Sequence, residues 1–148
     1  MVWSLGFLVL AGTAIGENVT VTHFDNYSIA YRAARQSKRP MLVILNPPKE
    51  SGKSSILLED VRRTKERRKL LESYIVVLID TGTEHGKIIY RLFGSEELPR
   101  VSIIGRDQQF QIFGTSEPLY GQLWTEVLDT YHSGEQVTSL AWRAFCPT

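Results

Sequence analysis

Two runs of uninterrupted apolar residues constrain this chain most: MLVIL at residues 41–45 and YIVVLI at residues 74–79. Side chains in a strand point alternately to opposite faces, so a strand with no polar position has both faces covered. Such strands belong to α/β folds, in which helices pack on each side of a largely parallel sheet. Between the runs lies SILLEDVRRTKERRKLLE, whose apolar positions recur at helical spacing. A strand, a helix and a second strand in this order predict parallel pairing through a right-handed crossover.

The rest of the chain extends the pattern. A helix is expected from Asp25, with Asp25 or Asn26 as its cap and Ile29, Ala30, Ala33 and Ala34 as a narrow apolar stripe. Pro40 disfavours helical backbone at Arg39 and ends it. Asn46-Pro47-Pro48 stops the first strand. The second helix is placed from Ser51 or Gly52 to Glu72, with Ile56, Leu57, Val61, Leu70 and Leu71 facing inward. Asp80-Thr81-Gly82 closes the second strand, and residues 87–93 read as a short helix capped by Gly94. Strands at 101–104 and 110–113, separated by the turn-like GRDQQ, form a hairpin. A last helix at 116–132 sets Leu119, Leu123, Trp124, Val127, Leu128 and Tyr131 on one broad face and stops at Gly134. The order is α-β-α-β-α-β-β-α.

A chain of 148 residues suits one domain with its own core. Its net charge of +1 gives no electrostatic basis for a nucleic acid partner. Residues 1–16, MVWSLGFLVLAGTAIG, carry no charge and place Ala14 and Gly16 where a signal peptidase would cut. They read as a secretory signal, too short for a transmembrane helix, which predicts a secreted protein or one of the periplasm or secretory lumen. No Lys or Arg precedes the apolar centre, so an uncleaved anchor or a misassigned start codon are the alternatives. The expected domain spans 17–134, followed by a tail at 135–148. Asn18-Val19-Thr20 and Asn26-Tyr27-Ser28 are glycosylation sequons. Cys146 is the sole cysteine, so no intrachain disulfide forms; it is either an intermolecular disulfide partner or an inert thiol. His23, His85 and His132 have no metal-ligand spacing, and no cofactor or metal is expected.

The loop NPPKESGKSS, residues 46–55, raises two opposed readings. Gly52-Lys53-Ser54 is the second half of a phosphate-binding loop, but the glycine that such a loop needs is replaced by Pro47. Proline has no amide hydrogen and fixes its own φ, which removes the cradle. The strand ending in Asp80 imitates one that carries a metal-binding aspartate, although Asp is also an ordinary turn initiator. What survives is anion binding at the helix start expected at Gly52, with Lys53 beside it.

Four segments carry the second reading. They are YRAARQSKRPMLVIL, SGKS at 51–54, Glu97-Leu98-Pro99-Arg100-Val101 followed by SIIG, and RDQQFQIFGTSEPLYGQLWTEVLDTY. In order and spacing, over residues 25–132, they resemble the thioredoxin superfamily, more closely its secreted single-domain members. The resemblance implies an α/β, thioredoxin-like fold, a central mixed sheet of about four strands flanked by helices. It sets SGKS in the place of the Cys-Gly-Pro-Cys redox motif at the start of a helix. It makes Pro99 the cis-proline that lies against that loop; a trans proline starting the strand is the alternative.

The departures decide the chemistry. Thiol-disulfide exchange needs a thiolate of lowered pKa and a second thiol to resolve the mixed disulfide, and Ser51 and Ser54 supply neither. Leu45 stands where the family buries an acid, and Glu50 where it has tryptophan. Pro40 lies one residue farther from SGKS than in the family, which allows a register of 50–53 as well as 51–54. Neither register contains cysteine, and dithiol oxidoreductase activity is not expected.

Three functions remain from the sequence. The preferred one is a redox-inactive module that binds a protein or peptide client through Glu50, Ser51, Gly52, Lys53, Ser54, Leu98, Pro99 and Arg100. The second is an enzyme with atypical thiol chemistry, or one that uses the hydroxyl groups of Ser51 or Ser54 with Lys53 as a contact. The third is an assembly subunit that meets a partner through its tail or through the basic run Arg62, Arg63, Lys65, Arg67, Arg68 and Lys69. That run reads foremost as a solvated face laced with Glu59, Asp60, Glu66 and Glu72. Tyr27, Tyr31, Tyr90, Tyr120 and Trp124 are read as core or rim.

Overall fold

The computed structural model describes residues 23–94 and 96–137. Both apolar runs are strands: β2 at Met41–Asn46 and β3 at Ile75–Asp80, with a short β1 at His23–Phe24 before them. β4 at Arg100–Ile104 and β5 at Gln111–Thr115 complete a five-stranded open sheet of order β1-β3-β2-β4-β5. β2 pairs with β3 in parallel and with β4 antiparallel, and β4–β5 is the expected hairpin. Met41 through Leu45 are all fully buried, as two covered faces require.

The alternation of side chains splits the core in two. Leu42, Ile44, Val76, Val101, Ile103 and Phe113 face one side, packed by α3 (Lys65–Leu71) and α5 (Gln122–Tyr131). A one-turn helix, α2 (Leu58–Val61), adds Leu58 and Val61 to that side. Met41, Val43, Leu45, Ile75, Val77 and Ile79 face the other, covered by α1 (Tyr27–Ser37) and α4 (Glu84–Leu92). The Asn26 side chain caps α1 by accepting from the Ile29 amide at 3.1 Å, and Thr83 caps α4 through the Gly86 amide at 2.9 Å.

Several expectations are corrected. The sheet has one strand more than the pattern implied, because two-residue β1 is too short to show periodicity. The helix expected over 51–72 is instead a 3-10 turn at Lys49–Ser51, a stretch without regular structure, and then α2 and α3. Gly52 takes a left-handed φ of 69° that ends the 3-10 turn, and Thr64 restarts the helix by accepting from the Arg67 amide at 3.2 Å. Leu57 is therefore exposed while Leu58 is buried. Ile29 and Leu123 also lie outside the core, as does Phe110 ahead of β5. α4 begins before residue 87, and α5 begins after residue 116, at Gln122. The expected leader, the first sequon and Cys146 lie outside the described residues.

A buried phenol ties β3 to α5. The Tyr74 hydroxyl donates to the Leu128 carbonyl at 2.7 Å, and burial, reinforced by the Asp129 charge, raises its pKa far above the ordinary value. The folded state thus holds the proton where the unfolded chain, titrating near pH 10, releases it. This contribution is complete below pH ~10 and is lost as pH rises beyond it, at about 1.4 kcal/mol per pH unit. Tyr74→Phe is expected to cost about 1 kcal/mol at neutral pH. It should also flatten the fall in stability above pH ~10, as urea titrations across that range will show.

Candidate functional site

The site is built around the end of β2. The Asn46 side chain donates to the Ile56 carbonyl at 2.9 Å and accepts from the Ile56 amide at 2.8 Å. One amide group thereby satisfies both backbone groups of Ile56 and ties the loop to the end of β2. The Asn46 carbonyl accepts from the Thr81 amide and hydroxyl at 3.1 and 2.8 Å, so the same residue is braced from β3. Ser51 closes the turn: its hydroxyl accepts from the Lys53 amide at 3.3 Å. Asn46 carried no functional signal in the sequence beyond stopping a strand.

Opposite this loop runs the segment before β4. Leu98–Pro99 is a cis peptide bond, as the resemblance implied. Ser116, just past β5, donates its hydroxyl to the Glu97 carbonyl at 2.6 Å and fastens that segment to the loop leading into α5. Between the two sides lies an open cleft of about 800 Å³. Gly52, Lys53, Ser54, Ser55 and Ile56 line one wall, and Glu97, Leu98, Pro99, Ser116 and Glu117 the other. Asp60, Arg63 and Arg67 belong to the first side, and Leu119, Tyr120 and Trp124 to the α5 end.

Of the residues expected at the site, the cleft brings together Gly52, Lys53, Ser54, Leu98 and Pro99. Glu50 and Ser51 belong to the exposed 3-10 turn behind it. Arg100 does not line the cleft: its guanidinium lies over Gly114 and donates to the wall residue Ser116 at 3.4 Å, while its buried Nε meets no acceptor among the described residues. The anion site expected at a Gly52 helix start is overturned, because the nearest helix begins six residues later at Leu58.

Arg67 is the largest departure from the sequence reading. The charged run places it on a solvated face, yet it is 5% exposed. Its Nε donates to the Thr125 hydroxyl at 3.3 Å, one terminal nitrogen to the Asp60 carbonyl at 3.1 Å, and the other to the Gly121 carbonyl at 2.6 Å. The Arg67 and Leu71 pair, four residues apart on α3, is the inward face. Its neighbours behave as expected, Arg62 pairing with Glu59 and Arg63 with Asp60.

The loop–proline juxtaposition at the end of a mixed sheet decides the architecture, and solved structures agree. The fold is thioredoxin-like. The chain is similar to a thioredoxin from Thermus thermophilus, at 14% identity and a TM-score of 0.54, covering 75% of this chain and 85% of that one. It is similar also to a DsbH oxidoreductase, at 14% identity and a TM-score of 0.51, covering 78% and 92%. No family model and no curated protein sequence matches it. This thioredoxin-like chain has one cysteine and no Cys-x-x-Cys pair. Among the described residues, no helix is long and apolar enough to cross a membrane, and no acid, histidine or cysteine cluster is suited to a metal.

Proposed function

We propose that this chain is an exported thioredoxin-like module without dithiol redox activity, which binds an extended protein or peptide segment in the cleft between residues 52–56 and Leu98–Pro99. The observation that carries the reading is the cleft itself: the loop that the resemblance sets in the redox position and the proline segment lie together on a space lined by apolar and charged groups, with no thiol among the described residues that line it. An unfolded segment laid there can place side chains against Ile56, Pro99 and Trp124, and burial of such groups supplies about 25 cal/mol per Å². Peptide recognition by an extended backbone with side-chain pockets is a common mode for sheet proteins. Export rests on the uncharged apolar leader at 1–16.

Binding of fluorescein-labelled, reduced and alkylated ribonuclease, followed by anisotropy, tests the reading. Saturable binding is expected, weakened about tenfold by Pro99→Ala or Lys53→Glu, equivalent to ~1.4 kcal/mol. Phe110→Ser, at the opposite end of the β4–β5 hairpin, should leave it unchanged. Insulin reduction should not exceed the rate in buffer. Reduction above that rate, or binding indifferent to both cleft variants, rejects the proposal.

A further inference from the structure

We infer that the occupant of the cleft is an acidic peptide segment, one carboxylate of which is held by Arg67 on the floor and Lys53 on the rim. The inference rests on the peptide-binding reading above and adds the chemistry of the partner. Arg67 is almost fully buried, lines the cleft, and has only neutral partners: two backbone carbonyls and one hydroxyl. The ion pairs among the described residues include neither Arg67 nor Lys53. A buried guanidinium without a counter-charge attracts an anion more strongly than an exposed one, since water does not screen it. Each of its terminal nitrogens has two N–H groups and donates one of them to a described residue, so a second N–H on each is left for a ligand.

The other charges narrow the anion. Asp60 is engaged by Arg63, whereas Glu97 and Glu117 stand on the wall opposite Lys53. A doubly charged phosphate would be repelled by three carboxylates, and a single carboxylate much less. The planar fork of arginine suits a carboxylate geometrically. Around the charges lie Ile56, Leu98, Pro99, Leu119, Tyr120 and Trp124, apolar surface of a kind that a free small ion does not use but the residues flanking a glutamate do.

The test compares a capped, fluorescein-labelled peptide Ser-Val-Leu-Glu-Leu-Ser with its twin carrying glutamine in place of glutamate. The glutamate peptide should bind about tenfold tighter at low salt, and the gap should narrow as salt is raised. Arg67→Lys keeps a charge in place but loses the fork, and Lys53→Gln alters only an exposed residue; each should cut the gap to about threefold, with unchanged thermal melting for Lys53→Gln. Equal affinity for the two peptides, with Pro99→Ala weakening both, overturns the carboxylate preference and leaves the groove standing. If neither peptide binds while alkylated ribonuclease does, the acidic-peptide inference falls alone; if none binds, both readings fall. A gap that survives both substitutions overturns the assignment to Arg67 and Lys53. Free glutarate displacing the probe as well as unlabelled peptide does would make the ligand a small dicarboxylate and overturn the peptide occupant.

Discussion

Gly86→Ala is expected to lower the melting temperature by about 10 °C, a loss of roughly 3 kcal/mol or more. In an ordinary helix this substitution stabilises, because alanine gives up less backbone entropy, by about 1 kcal/mol. Here the sign reverses. Gly86 sits in α4 where the helix crosses the end of β3, and a Cβ on it would lie 1.9 Å from the Asp80 carbonyl oxygen and 2.8 Å from the Thr81 Cα. Both obstacles are backbone, so no rotamer change relieves them, and α4 would have to move off the sheet. That movement would also loosen Ile89 from the core on that face. Circular dichroism melts of the two proteins decide it; an unchanged or raised midpoint would mean that α4 stands farther from the strand than these distances show.

Arg67→Met is the second large effect, with an expected loss of about 2 to 3 kcal/mol. Methionine replaces the stem of the side chain but none of its donors. The carbonyls of Asp60 and Gly121 and the Thr125 hydroxyl then lose their partner together. Each buried polar group left without a hydrogen bond costs about 1 to 3 kcal/mol, and removal of an uncompensated buried charge returns part of that sum. Because the three acceptors come from α2, α5 and the turn before α5, the substitution should also loosen the floor of the cleft. Urea denaturation gives the loss, and hydrogen exchange at α5 locates it. A cost below about 0.5 kcal/mol, the range of ordinary surface changes, would return Arg67 to the solvated face that the sequence indicated.

The contrast between these two residues shows where the sequence was legible. Asn26 as a helix cap, the proline before β4 and the stop at Gly94 are local signals, written within a few residues of where they act. The α/β order was legible for the same reason, since each apolar run states by itself that it needs cover on both faces. Nothing local to Gly86 marks it, because the carbonyl that forbids a side chain there is supplied by the approach of α4 to β3. The helix expected at Ser51 failed on a comparable point. Its apolar spacing tolerated a helix, but the Asn46 side chain claims both backbone groups of Ile56 from ten residues away and ties them to the end of β2.

By itself, the sequence determined that the chain forms an α/β sheet covered on both faces, that a proline precedes the strand expected at 101–104, and that the chain has no Cys-x-x-Cys pair. These follow from side-chain type and short-range order, which the chain carries before it folds. Only the tertiary structure decided that the helix starts at Leu58 rather than at the loop, that Arg67 is inside, and that Lys53, Arg67 and Pro99 line one cleft. A guanidinium in a charged run is solvated by default. It becomes buried only when acceptors from residues 54 and 58 positions away are brought within reach, and no window of sequence contains them.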